Sequence, residues 1–598
     1  MDRSLARLLK IVFLIAALGL VLPASGALGA KPVQTAKQPT ATGTGGAVAT
    51  VDLDASRVGM QVLREGGNAV DATIATAAAL GVTEPYSCGI GGGGFMVIYD
   101  ADSGRVSTID SRETAPAAFR PDSFINTDTQ QPIPFEERVT SGLGVGVPGT
   151  IRGWEEALSE FGSRPLSELL QPSIRLAARG FVVDQTYRQQ TLDNLARFED
   201  FTSTRETFLR NGQAPAVGST FRNPNLAATY SRIADGGGNA FYSGRTAQAI
   251  VNTVKNPPVV DDPGRIVRPG LMETTDLSDY SSIERAPTVS SYRGMQVYGM
   301  GPPSSGGSTV GEALNILEGY PMSDPTLRDV ALHRYLEASR YSFADRGKYL
   351  GDPAYVDVPL TGLLSDDFAA ERRALIMDQA AQSPVAPGNP CPYNGGEPCP
   401  VNEEASTAVE GPSTTHLTVS DEWGNVVSYT FTIEQTGGSA ITVPNHGFIL
   451  NNELTDFEPV SGLANSPAGG KRPRSSMSPT IITTSEGDPI LALGSPGGST
   501  IITTVLQVLV NDLDFGMTLP EAIAAPRASQ RNTATTSAEP DFLKTHEAAL
   551  SGRGHSFTST PEIGAATGIA FLPDETVQAA AEPVRRGGGS AIVENPVR

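Results

Sequence analysis

The chain has 598 residues, a formal net charge of −21, 39% hydrophobic and 18% charged residues. That length predicts two to four domains or one large layered domain, and the acidity excludes a nucleic-acid surface, which needs clustered Lys and Arg. Five scattered histidines and three cysteines, with no C-x-x-C or H-E-x-x-H spacing, disfavour a metal enzyme.

In chain order, Arg3, Arg7 and Lys10 precede the apolar run "IVFLIAALGLVL" and the small-residue stretch "PASGALGA". This predicts a signal peptide over residues 1–30, cleaved after Ala27 or Ala30, and an extracytoplasmic protein that meets the membrane only through that segment. Residues 31–46, "KPVQTAKQPTATGTGG", read as a flexible linker. Helical spacing follows from Ala55 to Glu65 and stops at Gly66-Gly67. An alanine-rich, nearly uncharged helix is expected from Asn68 to Leu80, and "FMVIYD" (95–100) reads as a strand.

Between the last two lies Gly89-Ile90-Gly91-Gly92-Gly93-Gly94, which matches G-x-G-x-x-G with Asp110 downstream. A dinucleotide site needs strand, glycines and then helix, so that phosphate meets a helix N-terminus. Here the order is helix, glycines, strand, and the dinucleotide reading fails.

The middle of the chain is helical, as in Arg328 to Leu350. A Pro/Gly/acid-rich stretch from Ser383 to Ser413 reads as an exposed loop, across which Cys391 and Cys399 are placed to pair in an oxidising compartment, leaving Cys88 over. Directly after it, "TTHLTVSDEWGNVVSYTFTIEQ" reads as strand, turn at Asp421 to Asn425, and strand. A threonine is a weak nucleophile unless a base takes its proton, and as a new chain terminus it carries its own base, the α-amino group. The Ser413–Thr414 bond, at the end of an exposed loop, is placed for such a cut.

The segments "STTHLTVSDEWGNVVSYTFTIEQ", "GFILNNELTDF", "KRPRSSMSPTI" and "GSPGGSTIITTVLQ" together resemble the γ-glutamyltransferase family of N-terminal-nucleophile hydrolases. So do "GGNAVDATIATAAALGVTEPYSCGIGGGGFMVI", "SRETAPAAF" and "PPSSGG", in the same order from about Gly46 onward. The resemblance implies an α+β fold, a four-layer αββα sandwich, built jointly by a large subunit (47–413) and a small one (414–598) that form a heterodimer after self-cleavage. It implies Thr414 as nucleophile, Thr432 as the hydroxyl orienting it, and Gly497 and Gly498 as backbone donors to the oxyanion. It further implies that Arg112, with Ser475 and Ser476, holds the substrate carboxylate, and that Asp456, Glu453 and Glu434 hold its ammonium. His416 is expected to be structural, because the amino terminus already supplies a base.

The implied reaction cleaves the γ-glutamyl amide of glutathione, glutamine or related compounds and passes the acyl group to water or to an amino acid or peptide, with no cofactor. Some family members carry amides where Glu434 and Glu453 stand. The link from Asp456 to Lys471 is short, which suggests a site without a covering lid that favours hydrolysis and larger donors. Rival readings are a β-lactam side-chain acylase, a poly-γ-glutamate depolymerase, and an unprocessed binding protein.

Overall fold

The computed structural model describes residues 36–400 and 413–597. The expected signal segment and residues 401–412 of the loop lie outside the described residues. Thirteen strands form the central sheet system. They are β1 (Thr40–Thr50), β2 (Gly93–Asp100), β3 (Arg105–Asp110), β4 (Ile283–Arg285), β5 (Thr288–Tyr292), β6 (Met295–Gly299), β7 (Thr415–Ser420), β8 (Val426–Thr432), β9 (Thr480–Thr483), β10 (Pro489–Gly494), β11 (Thr567–Phe571), β12 (Val577–Ala581) and β13 (Ser590–Pro596). The strand order is β4-β3-β2-β8-β7-β1-β12-β11-β10-β9-β6-β5, with β13 also paired to β1.

The long β1 belongs to both halves of this path. Residues Thr40–Gly43 pair with β12 and Ala47–Ala49 with β7, and the register against β13 shifts between Thr44 and Ala47. A bulge of that kind bends a strand and lets one sheet fold over onto another. The two leaves do face each other. Val97 of β2, Val426 of β8, Ile481 of β9 and Ala492 of β10 share one buried apolar cluster. Ser428 Oγ of β8 donates to the Leu493 carbonyl of β10 at 3.0 Å.

Helices cover both outer faces. On the first leaf lie α1 (Leu53–Arg64), α2 (Ala69–Thr83) and α3 (Thr150–Phe161), followed in the chain by the shorter α4 (Gln185–Asp193). Ile74 and Leu80 of α2 pack in one core with Leu417 and Tyr429 of the β7–β8 hairpin. On the other leaf lie α5 (Gly306–Glu318), α6 (Arg328–Tyr349) and α7 (Thr500–Leu513). Leu314, Leu336 and Leu506 from these three share a second core with Val297 of β6 and Leu491 of β10. The architecture is the expected αββα sandwich.

Local chemistry explains the elements nearest the site. Asn68 and Asp71 form a reciprocal capping box at the start of α2, whose residues are all buried. Asp421, in the β7–β8 turn, accepts N–H groups from Trp423 and Asn425 at 3.0 Å and from Ala69 at 2.9 Å. One carboxylate thus ties the hairpin turn to the helix behind it.

One expectation is corrected. Residues 40–46, read as linker, are the first half of β1 rather than a tether. Their Thr/Gly composition gives no alternating apolar signal, and the strand exists because β12 and β13 pair with it. Cys391 and Cys399 form a disulfide, while Cys88 is free and buried.

Candidate active site

Thr414 sits immediately before β7, and Thr432 ends β8. The antiparallel register pairs Phe431 with Thr415, which sets Thr432 beside Thr414. Thr414 Oγ1 donates to Thr432 Oγ1 at 3.1 Å, and the same Thr432 oxygen accepts the Glu434 N–H at 2.9 Å. Both threonines are buried. Thr414 has φ 99°, a left-handed value that is rare for a β-branched residue and costs on the order of 1–3 kcal/mol. Glu434, at φ 74°, is held in the same region of backbone space.

The turn between β10 and α7 completes this half of the site. The Gly497 N–H donates to the Ser413 carbonyl at 3.0 Å. Gly497 has φ 139° and Gly498 φ 55°, values that glycine adopts without steric cost. The Gly498 carbonyl then accepts from Ile501 N in the first turn of α7. A polarised carbonyl, a hydroxyl on the next residue and a second hydroxyl that takes its hydrogen bond are therefore in one place.

The glycine run forms the wall behind Thr432. A Cβ on Gly92 would lie 1.9 Å from the Thr432 carbonyl, and one on Gly91 would lie 2.0 Å from that of Ile449. A side chain at Gly92 would push the end of β8 away from the turn, and one at Gly91 would displace the backbone at Ile449.

A second group of residues is built around Arg112, which follows β3. Its Nη1 pairs with Glu453, its Nη2 donates to Asp456 at 2.5 Å, and Nε and Nη2 donate to the Pro473 and Arg474 carbonyls at 3.1 and 2.9 Å. Burial disfavours its charge, but Asp456, Glu113 and Glu434 more than offset that and raise its pKa above the ordinary value. The fork expected to face a substrate carboxylate is thus engaged with the protein's own acids, because buried charges must be paired. Oxygens of Glu434, Glu453 and Asp456 all lie within 4.8 Å of one another. Three carboxylates against one guanidinium leave an excess of negative charge, which suits a cationic group.

Ser475 and Ser476 follow directly on the segment that grips Arg112. Ser475 Oγ accepts the Met477 N–H at 3.1 Å, and its carbonyl accepts Ser305 N–H at 2.7 Å. The "PPSSGG" loop therefore lies under these serines, and a Cβ on Gly306 would come within 2.3 Å of the Met477 carbonyl. Ser476 Oγ accepts from Arg346 Nη2 at 2.8 Å.

Three residues at the site had not been singled out from the sequence. Arg346 reaches Ser476 from α6. Arg586 donates to the Thr414 carbonyl at 2.7 Å and to Ser87 Oγ at 2.6 Å. Glu113 is fully buried next to Arg112, and burial pushes its carboxyl up to about 8. Only Glu113 had a local signal, its place inside "SRETAPA".

His416 is structural. It is fully buried, bonded to Thr430 Oγ1 at 2.8 Å and Thr418 Oγ1 at 3.1 Å, and burial pushes it down to about 3. No helix among the described residues is long and apolar enough to cross a membrane.

The family model for gamma-glutamyltranspeptidase matches residues 55–592. The glutathione hydrolase proenzyme of Bacillus subtilis (strain 168) is 41% identical over 555 residues, covering 92% of each chain. The acylase ACY 1 proenzyme of Pseudomonas sp. (strain V22) is 37% identical over 569 residues, covering 93% of this chain and 96% of its own. The crystal structure of cephalosporin acylase from Bacillus halodurans superposes with a TM-score of 0.81 at 28% identity, over 94% of this chain and 97% of that one.

Proposed function

Since the chain belongs to the gamma-glutamyltranspeptidase family of enzymes, we propose that it is an exported, self-cleaving γ-glutamyltransferase in which Thr414 is the nucleophile. The observation that carries this reading is the Ser413 carbonyl on the Gly497 N–H, with the Thr414 hydroxyl on the next residue bonded to Thr432.

The first reaction is maturation. Thr414 Oγ1 attacks the Ser413 carbonyl carbon, and the oxyanion forms on the Gly497 N–H. The C–N bond breaks, the Thr414 nitrogen takes the hydroxyl proton, and an ester links Ser413 to Thr414 Oγ1. Water hydrolyses that ester, leaving a carboxylate on Ser413 and a free amine on Thr414. The strained φ at Thr414 supports the reading, since cleavage releases it.

In the second reaction the new α-amino group takes the Oγ1 proton as the oxygen attacks a γ-glutamyl carbonyl. The amine half of the substrate leaves with a proton, and the γ-glutamyl ester then passes to water or to an acceptor amine. The substrate ammonium goes to Glu434, Glu453 and Asp456. Its carboxylate competes for the Arg112 fork beside Ser475 and Ser476. Lys471 Nζ donates to the Ala464 and Ser466 carbonyls at 2.7 and 2.9 Å, folding the 457–470 link back on itself, which supports a site without a long lid. The Cys391–Cys399 disulfide supports export to an oxidising compartment.

Mass spectrometry of the purified protein tests this directly. Two chains are expected, the smaller starting at Thr414, with turnover of a γ-glutamyl anilide; Thr414→Ala should abolish both. A single intact, inert chain would overturn the reading. The similarity to acylases raises a second reading, hydrolysis of a glutaryl β-lactam. The acid cluster favours a head group with an ammonium, which a glutaryl group lacks, so glutathione should be cleaved far faster in a direct comparison.

A further inference from the structure

Between β12 and β13 the chain makes a turn of three left-handed residues, with φ 53° at Arg586, 75° at Gly587 and 76° at Gly588. Glycine adopts such values freely, but at Arg586 the backbone is strained. The turn aims the Arg586 guanidinium at the Thr414 carbonyl (2.7 Å) and at Ser87 Oγ (2.6 Å). Strain of this kind persists only where surrounding contacts over-determine it.

Three side chains do so here. Glu562 accepts the Arg586 N–H at 3.0 Å. Thr186 Oγ1 of α4 donates to the Arg586 carbonyl at 3.1 Å, and a Cβ on Gly587 would lie 2.1 Å from that hydroxyl. Lys37 Nζ donates to the Gly588 carbonyl at 2.9 Å and to the Val51 carbonyl at 3.0 Å, and it pairs at 3.5 Å with Asp184, the cap of α4. Lys37 precedes β1, in a stretch whose composition reads as linker, yet its ammonium joins the end of β1, the start of α4 and the turn.

We propose that Lys37 is a positioning residue for the reaction: by pinning the 586–588 turn it keeps the Arg586 guanidinium on the Thr414 carbonyl, and so keeps the α-amine of processed Thr414 a free base. The proposal rests on the reading of Thr414 as nucleophile given above.

After cleavage the amine and that carbonyl share one carbon. A guanidinium on the carbonyl oxygen therefore opposes the ammonium form with a like charge, and a base working at neutral pH gains from this. The other charged or titratable groups around the carbonyl are Glu84 at the end of α2, with Lys37, Asp52 and Asp184 beside it, Cys88, Glu562 and Glu434. Glu84 is buried, and burial pushes its carboxyl up to about 7 against the pull of Arg586 and Lys37. Below that pH it is mainly neutral and leaves the guanidinium uncancelled. Burial also raises the Cys88 thiol, which stays neutral. Without Lys37 the turn can relax toward an unstrained backbone and carry Arg586 off the carbonyl.

The test follows two readouts in Lys37→Gln, Lys37→Arg and Thr186→Val, the last of which frees the Arg586 carbonyl. Self-cleavage should slow about tenfold in Lys37→Gln and Thr186→Val, whereas Lys37→Arg, which keeps the charge and two donors, should recover most of the rate. In the processed enzymes, the acidic limb of kcat/KM against pH for a γ-glutamyl anilide should move up by about half a unit or more in Lys37→Gln and Thr186→Val, and stay in place in Lys37→Arg. Lost stability alone would slow maturation without moving that limb. An unmoved limb in the folded, processed variants overturns the proposal; where Lys37→Gln does not fold, Thr186→Val decides. Should the processed enzyme turn over no γ-glutamyl donor, the γ-glutamyl reading fails separately, and the pH dependence of acylation of the Thr414 amine by a small reagent reads the same shift. A wild type that never self-cleaves overturns both readings.

Discussion

Arg112 holds two buried carboxylates with one planar group, and that geometry cannot be reproduced by a point charge. Arg112→Lys should leave one acid unpaired, lowering stability by about 3–5 kcal/mol in chemical denaturation. It should also reduce kcat/KM toward γ-glutamyl donors roughly 100-fold, mainly through KM, while gels still show two chains. Its neighbour Glu113 gives a prediction of different form. Burial raises this carboxyl from its ordinary 4.5 to about 8, against the pull of Arg112 and with Asp456 and Asp110 adding to the rise. The folded protein therefore holds a proton that the unfolded chain releases above pH 4.5, so this contribution to stability is complete below that pH and is lost as pH rises through about 8. Glu113→Gln should flatten the decline in melting temperature across that window. An unchanged slope would show that the carboxyl is ionised in the fold.

At the scale of elements, the glycine run and the β8 strand are fitted to each other. Gly92→Ala places a methyl group against the Thr432 carbonyl, where only backbone movement gives relief, and should cost about 1–3 kcal/mol. Because Thr432 moves with that carbonyl, self-cleavage should slow as well; a time course of subunit appearance after expression measures it. This fit also explains what could be read from the sequence. The order of α2, glycines and β2 was visible locally, as was the β7–β8 hairpin, because each has its own periodicity and turn residues. The first half of β1 was not, since its pairing partners lie more than 500 residues away. Arg586 and Arg346 were missed for the same reason: an arginine in a loop or on a helix looks like surface charge until the fold brings it to Thr414 or Ser476. The engagement of Arg112 with Glu453 and Asp456 was equally hidden, because residue types reveal which charges can pair but not which do.

For the molecule as a whole, the strand order decides what the proposed cleavage at Ser413–Thr414 would release. Reading across the sheets, β4, β3 and β2 come from before the cut, β8 and β7 from after it, β1 from before, β12 to β9 from after, and β6 and β5 from before. Every boundary between the two segments is antiparallel, from three residue pairs between β1 and β7 to the seven of β8 with β2, Val426↔Tyr99 to Thr432↔Gly93. Each core also draws on both segments, with α2 against Leu417 and Tyr429 and α5 and α6 against α7. Separating the chains would expose strand edges and both apolar cores at once, so neither segment is a folding unit. The processed protein should therefore run as one heterodimeric species in size-exclusion chromatography even at nanomolar dilution, and should lose both chains in a single denaturation transition. Segment 414–598 expressed alone should be insoluble, whereas co-expression with 47–413 tests whether the interleaved sheet can assemble from two pieces. Free subunits in native buffer would contradict the interleaved sheet order itself.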